Sequence, residues 1–581
     1  MSELMDRYRR VEHPLPEQVL SWRLFGAGME HLGCDGRPCA EPLPHPGPRE
    51  VLTRVDACGL CFSDIKLIGL GPDHPRIQGR DLQADPTIPG HEASVTVVEV
   101  GAEVTGIAVG DRFIVQADVI YQGVPQAYGY AIPGALGQYS LIPQAMLEGD
   151  EGNYLLPVDP ATGYAAAALV EPWACVNAAY RITHRTAPKP GGITWIIALE
   201  EREEYQVSVG LTAESHPRRV VGSGLDGPLL AGLQSLASRT DMELELVDLV
   251  DEPAIQSFCQ DYADAVGFDD VIIFGEPPAG LVEAIAPHLA RYGVLCIMAQ
   301  QPLSRPLTID VGRVHYDGIA YVGGAGADAA AGYQAGRPES DLRPGGAAWF
   351  IGAGGPMGQM HVQRAIELAT GSRLVVVTDL DRSRLDHIEN RFGGMAQARG
   401  VELHTFSPKQ FESQQAMDEQ VHLLSPAGYS DVCVLAPVPA LVTAALSFAA
   451  DNALVNVFAG IPIGNNAGIG IDVLCRGVKI IGSSGSRISD LRRILEMVEA
   501  GELNTDLSVA AIGGLNCARA GLEAVRDGKY PGKTVIYPHI PELPLMGLEE
   551  AAQNLPELRE ALGPRLAWSK EAEAALLGNN L

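Results

Sequence analysis

The chain has 581 residues, 46% of them hydrophobic and 20% charged; this is a globular composition, and too much chain for one core, so several domains are expected. Its 42 basic against 72 acidic residues leave a formal net charge of −30, which argues against nucleic acid and anionic membranes as partners because both need basic patches. No apolar run is long enough to span a bilayer, the first ten residues lack the apolar core of a secretion signal, and ten thinly spread cysteines read as reduced thiols of a cytoplasmic protein.

Residues 1–50 are rich in proline and charge. Leu24 to Glu30 is expected to begin a strand. Cys34 and Cys39 sit in a polar stretch, where a surface loop is favoured over a metal clip because an isolated pair is a weak signal. Val51 to Ala57 reads as a strand leading into Cys58-Gly59-Leu60-Cys61-Phe62-Ser63-Asp64. Ser94 to Val100 alternates and is rich in β-branched residues, and Phe113-Ile114-Val115 and Tyr139-Ser140-Leu141-Ile142 continue the series. Many short strands punctuated by Gly and Pro suggest a compact barrel-like β domain.

Three segments in this region carry chemistry: the Cys61 turn, Pro89-Gly90-His91-Glu92, and Leu169-Val170-Glu171-Pro172. Together Cys61, His91, Glu92 and Glu171 offer a thiolate, an imidazole and two carboxylates. That mixture suits Zn²⁺, and a set of three or four protein ligands with a water is catalytic rather than structural. Glu92 and Glu171 compete for direct ligation, the other then holding the metal-bound water or exchanging with it. The blander readings are a buried free cysteine, a satisfied histidine and salt-bridged glutamates. Asp64 is expected to accept from the His91 ring or to serve as a helix-start carboxylate. Cys58 reads as core.

From Gly191 the pattern becomes strands alternating with helices, hence a parallel α/β sheet, and it does so twice. Gly191-Gly192-Ile193-Thr194-Trp195-Ile196-Ile197 matches Gly345-Gly346-Ala347-Ala348-Trp349-Phe350-Ile351. Phe268-Asp269-Asp270-Val271 matches Tyr429-Ser430-Asp431-Val432, and Asp317-Gly318-Ile319 matches Arg476-Gly477-Val478. This predicts a tandem duplication of one dinucleotide-fold domain, jointed near Gly336 to Pro344. Only the second copy keeps a loop of small residues, Gly352-Ala353-Gly354-Gly355-Pro356-Met357-Gly358, followed by a second strand ending in Asp379. Small residues let the backbone approach a pyrophosphate at a helix N-terminus; an acid at that spacing suits the adenosine ribose and favours NAD over NADP. The expected cofactor set is Gly352, Gly354, Gly355, Pro356, Met357, Gly358, Asp379 and Arg384. The first copy has Ala198-Leu199-Glu200-Glu201-Arg202-Glu203-Glu204 instead, which repels a pyrophosphate. Its Gly222-Ser223-Gly224-Leu225-Asp226-Gly227 aligns with the end of the second strand and is read as a decoy.

Beyond Ser486, Asp490 to Ala500 is helical, with Leu491, Ile494, Leu495 and Val498 on one face. Ala518 to Arg526 is another helix and Gly532 to Tyr537 a strand. Leu545 to Leu581 reads as a two-helix tail whose last helix starts at Ser569 with a serine cap and early acids.

Gly-Leu-Cys-x-Ser-Asp, Gly-His-Glu and Glu-Pro in this order resemble the zinc-dependent medium-chain dehydrogenase/reductase superfamily, and Glu171-Pro172 resembles its sorbitol (polyol) dehydrogenase branch. The likeness spans about Val51 to Pro190 and Gly345 to Pro538. It implies a GroES-like β-barrel catalytic domain; with the internal repeat the expected fold is of class α/β plus β, that domain together with two tandem Rossmann-like doubly wound domains, the first degenerate. The boundaries are 1–190, 191–340, 341–488 and 489–581, the last segment completing the first domain and adding the tail. The resemblance implies one catalytic Zn²⁺ held among Cys61, His91, Glu92 and Glu171, and NAD. It implies no structural zinc, since no cysteine lies between Cys61 and Cys175. Ser63 and Glu92 are the expected catalytic groups, Ser63 matching the hydroxyl of the family's proton relay. Lys66 is a weaker candidate for extending that relay. The expected partner is a small polyol or sugar, which His74, Arg76, Arg80 and Asp81 of the Pro72 to Pro89 loop could meet, and the expected assembly is a homo-oligomer, dimer or tetramer. The degenerate copy is expected to imitate a partner subunit by covering the sheet edge of residues 345–485. The rival readings are a zinc/NAD enzyme using transient oxidation for epimerisation or elimination, and a non-catalytic NAD(H)-binding sensor or scaffold.

Overall fold

The computed structural model describes residues 3–77, 79–180, 185–200, 202–248, 255, 258–259, 267–334, 341–368 and 371–581. It divides into two compact units: Met1–Val176 with Gly355–Met360 and Gly485–Leu581, and Asn177–Gly354 with His361–Ser484. The described residues of the two predicted sibling domains thus fall in the second unit, except 355–360 and 485–488, which belong to the first. Much of the predicted joint, residues 335–340, lies outside the described residues. Among the described residues, no helix is long and apolar enough to cross a membrane.

The first unit is built on a mixed sheet. Its path runs Met546–Gly547, Val509–Gly514, Lys533–Tyr537, Val51–Gly59, Glu92–Val100, Arg112–Val115, Leu155–Pro157, with Tyr139–Ile142 also paired to Val51–Gly59. Val51–Gly59 is buried along its whole length because strands cover it on both sides and its two charges pair with each other: Arg54 bridges Asp56 at 2.8 Å. Lys533–Tyr537, from far down the chain, lies antiparallel beside it, with Val535 opposite Gly59 and Ile536 opposite Cys58. This insertion brings the C-terminal segment to the Cys61 turn.

Three expectations change here. Leu24 to Glu30 forms no strand: Leu24 makes isolated bridges to Leu32 and Thr87, and Met29–His31 is a 3₁₀ turn. Gly26 and Gly28 interrupt the extended run, and the strand lies earlier, at Gln18–Ser21, paired with Cys39–Pro42. The reading of all cysteines as reduced thiols is corrected at Cys34 and Cys39, which form a disulfide with a Cα–Cα distance of 5.1 Å; a bridge between Cys34 and Arg37 folds the chain back and brings them together. The tail contains three helices rather than two, Leu548–Asn554, Pro556–Ala561 and Lys570–Asn580, because Pro556 lacks the N–H that would continue the first. Ser569 caps the last as expected, accepting from the Ala572 N–H.

The second unit holds a continuous twelve-stranded sheet. In the first copy the strands are β1 (Ile193–Ala198), β2 (Arg219–Ser223), β3 (Glu243–Leu246), β4 (Phe268–Phe274), β5 (Leu289–Met298) and β6 (Ala320–Gly324). In the second they are β7 (Ala347–Ile351), β8 (Leu374–Thr378), β9 (Glu402–Phe406), β10 (Tyr429–Val434), β11 (Ala449–Val457) and β12 (Lys479–Ile481). Each copy is parallel throughout, and the order is β3-β2-β1-β4-β5-β6 followed by β12-β11-β10-β7-β8-β9. Both halves therefore have the doubly wound order of a dinucleotide fold. They meet through their sixth strands, β6 antiparallel to β12, with Tyr321 opposite Ile480. A second exchange reinforces the seam: Leu307–Asp310, between β5 and β6, pairs antiparallel with Asn466–Ile469, between β11 and β12. One apolar cluster runs through both copies, from Trp195 and Val271 to Val432 and Ile480.

The copies diverge after their first strands. β7 leads through the glycine loop into the helix Pro356–Glu367. After β1 no helix follows among the described residues before β2. Tyr205 and Val207 are buried there instead, and Tyr205 stacks on Phe274 at 4.6 Å. Gly222–Gly227 joins β2 to the helix Gly227–Ala237, at the end of the second strand.

Candidate functional site

Cys61 is the N-cap of the helix Phe62–Leu70, and Asp64, three residues on, turns back to accept from the Cys61 backbone N–H at 3.0 Å, a capping-box arrangement. This spends one carboxylate oxygen. The other accepts the Gly90 N–H at 3.2 Å and lies 3.1 Å from His91 Nδ1. Asp64 is fully buried and ties the cysteine turn to the histidine turn. It takes both roles proposed for it. Because an ionised carboxylate only accepts, Nδ1 must carry the proton, which leaves Nε2 for a further partner.

Glu92 opens the strand Glu92–Val100, opposite Gly59 in register. The glycine is needed there, since a Cβ at residue 59 would collide with Glu92 Oε2. A sulfur of Cys61, a ring nitrogen of His91 and a carboxylate oxygen of Glu92 lie within 4.8 Å of one another. Glu92 Oε2 is buried without a hydrogen-bond partner, an arrangement that costs free energy unless a cation or donor completes it. Burial opposes the charge on His91, but Asp64, Tyr130 and Cys61 outweigh it and hold the imidazolium above its ordinary range.

Glu171 lies outside that group of three. It stands in the first turn of Val170–Ala178, half-buried, with Oε1 3.8 Å from Cys175 Sγ. Burial pushes its carboxyl up to about 7, with His91 opposing and Glu92 adding to the shift, so it belongs to the same electrostatic neighbourhood. Ser63 is half-buried on the first turn after Cys61, while Lys66 is exposed, its ammonium 5.9 Å from the Phe62 ring centroid.

Sequence reasoning missed Lys533. Its ammonium is 4% exposed, donates to Glu92 Oε1 and reaches the Leu60 carbonyl at 3.4 Å. Burial alone would lower its pKa; Glu92, with Cys61 and Glu171, reverses this and keeps it charged. The available signal was a lone lysine inside Gly532 to Tyr537, an otherwise uncharged strand, since a buried ammonium demands a carboxylate.

In the second dinucleotide-fold copy, Asp379 directly follows β8 and is half-buried. Its Oδ2 accepts the Gly354 N–H at 2.8 Å and its Oδ1 the Asp381 N–H at 2.9 Å. The acid therefore shapes the loop as well as lying beside it. A Cβ on Gly354 would come within 2.8 Å of the Asp379 carboxylate and 2.9 Å of Arg384 Cβ, whereas one on Gly355 would meet open space. Gly354, Asp379 and Arg384 thus lie against one another, Arg384 in the helix Arg382–Ala398. Pro356 begins the helix Pro356–Glu367, where its missing N–H is no loss, and the first-turn N–H groups that follow are suited to an anion.

The alcohol dehydrogenase GroES-like domain family matches residues 47–148. A mannitol-1-phosphate 5-dehydrogenase of Aliivibrio fischeri is 29% identical over 303 residues, 49% of this chain and 70% of that protein. A sorbitol dehydrogenase of Gallus gallus is 34% identical over 159 residues, 25% of this chain and 41% of that protein. The solved structure of 2R,3R-butanediol dehydrogenase from Bacillus subtilis superposes with a TM-score of 0.50 at 14% identity, covering 90% of this chain and 99% of that one, a likeness of fold. With its GroES-like segment, doubly wound sheet and these relatives, the chain belongs to the medium-chain dehydrogenase/reductase family and is an oxidoreductase of the alcohol-dehydrogenase type.

Proposed function

We propose that the chain is a zinc-dependent, NAD-linked dehydrogenase that oxidises a secondary alcohol of a polyol, sugar alcohol or sugar phosphate. The observation that carries this reading is the convergence of Cys61, His91 and Glu92 in front of a carboxylate that fixes the histidine tautomer. The donor set fits zinc: one sulfur, one imidazole nitrogen, and a buried carboxylate oxygen with no other partner. These three would hold the ion, with Glu171 as the alternate carboxylate. When bound, zinc supplies Lewis-acid polarisation of the substrate hydroxyl and lowers its pKa.

The protein's own groups supply the rest. Asp64 orients the His91 ring. Lys533 balances the buried charge of Glu92. Ser63, two residues beyond Cys61, is placed in sequence to pass the hydroxyl proton outward. The Gly352–Gly358 loop and the start of Pro356–Glu367 would bind the pyrophosphate, and the Asp379 carboxylate disfavours a 2′-phosphate. The sorbitol and mannitol-1-phosphate dehydrogenases among the relatives support the polyol class.

The test is a panel of polyols, sugar alcohols and their phosphates with NAD on zinc-loaded protein, read as NADH absorbance. At least one member should yield one NADH per alcohol oxidised, and Cys61→Ser should abolish this together with stoichiometric zinc. No NADH across the panel, or an undiminished Cys61→Ser enzyme, would sink the reading.

A further inference from the structure

Arg76 stands beside the metal-type cluster without being part of it. Its guanidinium carbon lies 5.2 Å from the Tyr130 ring centroid, and the same ring lies 5.7 Å from the His91 ring. The arginine therefore cannot be farther from the histidine than those two spans laid end to end. Tyr130 is buried and acts as a wall shared by the two groups. On the arginine side the His74 ring also packs on Tyr130, at 5.1 Å. His74 Nδ1 accepts the Arg76 backbone N–H at 3.2 Å, which leaves its other ring nitrogen as an N–H donor. Burial, with the charges of Arg76 and Lys66, depresses His74 to about 4, so at neutral pH it donates without adding charge. Burial opposes the charge on Arg76, but Asp118 foremost, then Tyr130 and Glu171, outweigh it. A cation and a neutral donor thus share the Tyr130 ring with His91, in a protein whose net charge is −30.

The counter-charge is Asp118, 2.8 Å from Arg76. Both side chains are more than a third exposed, at 39% and 37%, and a pair that accessible contributes little to folding. The pair therefore does not explain why an arginine is held against Tyr130. A guanidinium has five donors in a planar fork that matches phosphate geometry, and one contact to Asp118 leaves others to offer.

We propose that the substrate of the dehydrogenase proposed above is a phosphorylated polyol or sugar, whose phosphate is bound by Arg76 with His74 while its reacting carbon lies at the Cys61–His91–Glu92 cluster. Arg76 is then a specificity residue: it reads the far end of the substrate and takes no part in the chemistry. Asp118 holds the fork in position.

Two measurements on the zinc-loaded full chain test this. The first compares kcat/KM for sorbitol with sorbitol 6-phosphate and for mannitol with mannitol 1-phosphate, in wild type and Arg76→Gln. The esters should be preferred in wild type, and the variant should lose about 10- to 100-fold on the esters, the range for one charge-assisted hydrogen-bonding group, while the parent polyols change less than about threefold, within the scatter of a neutral surface change. The second is calorimetric titration with inorganic phosphate, which should bind wild type and not Arg76→Gln. Equal use of parents and esters, or an equal loss on both in the variant, overturns the inference and leaves the dehydrogenase standing. Phosphate binding that depends on Arg76, in a protein that oxidises none of the four compounds, sinks the dehydrogenase reading and keeps the anion site. Neither turnover nor phosphate binding sinks both.

Discussion

Glu92 and Lys533 are each almost completely shielded from water and bonded to one another, so each is tolerable only because of the other. Removing one partner of such a pair leaves an uncompensated buried charge and costs about 3–5 kcal/mol, whereas removing both charges is far milder. Lys533→Met should therefore destabilise the metal-free protein by roughly that amount in urea unfolding, and Lys533→Met combined with Glu92→Gln should recover most of the loss. If the double variant is as unstable as the single one, packing rather than charge is the role of Lys533. This pair also marks the limit of the sequence. Cys61, His91 and Glu92 were legible because each follows a glycine or proline turn beside an apolar strand. The partner of Glu92 is 441 residues away, and no local pattern encodes which lysine will close that distance.

Among the elements, the C-terminal helix Lys570–Asn580 is fastened by a carboxylate. Glu573, 3% exposed, accepts the Tyr164 and Ala165 N–H groups at 2.6 and 2.7 Å and the Tyr537 hydroxyl at 2.9 Å. Asp506, 8% exposed, sits in its field; burial, then Glu573 and Glu571, push the Asp506 carboxyl up to about 8. With three donors in hand Glu573 is the better carboxylate, so Asp506 is the one that keeps a proton. The sign follows. Between the ordinary aspartate range and about pH 8 the folded chain holds this proton and the unfolded chain does not, so stability from this site falls as pH rises through that window. Asp506→Asn should remove that slope, raising stability at pH 8 by roughly 5 kcal/mol, about 1.4 kcal/mol for each of the roughly four pH units the window spans, and by little at pH 4. Thermal unfolding of both proteins at the two pH values decides it, and an equal shift at both would show that Asp506 is ionised in the fold. The cap at Ser569 was readable from local chemistry; the docking of its helix onto Tyr164 and Tyr537 was not, because burial of Glu573 depends on segments hundreds of residues apart. The same holds for the Leu307–Asp310 and Asn466–Ile469 exchange, whose strands are too short and ordinary to announce a partner.

For the whole molecule the decisive feature is the seam between the siblings. The degenerate copy is expected to cover the sheet edge of residues 345–485 in place of a partner subunit. Here β12 is already paired to β6 of the same chain, and the exchanged arms are satisfied internally as well. The edge that would recruit a second subunit is occupied, and an occupied edge cannot template further pairing. The two remaining edges of the sheet are β3, Glu243-Leu244-Glu245-Leu246, and β9, Glu402-Leu403-His404-Thr405-Phe406. Both carry outward charge, the usual guard against edge-to-edge association. The degenerate copy thus needs no nucleotide to explain its retention: its glutamate-lined loop is compatible with a domain kept for its sixth strand. Light scattering on the purified chain should return the mass of one chain, 61.7 kDa, independent of dilution. Tyr321→Lys, placing a charge at a seam residue that is 2% exposed, should cost about 3–5 kcal/mol as a lost buried aromatic and expose both sixth strands, so that the protein that stays folded gains mass with concentration. A wild-type mass of two or four chains, unchanged by Tyr321→Lys, would show that assembly uses another surface and that the seam does not replace a subunit contact.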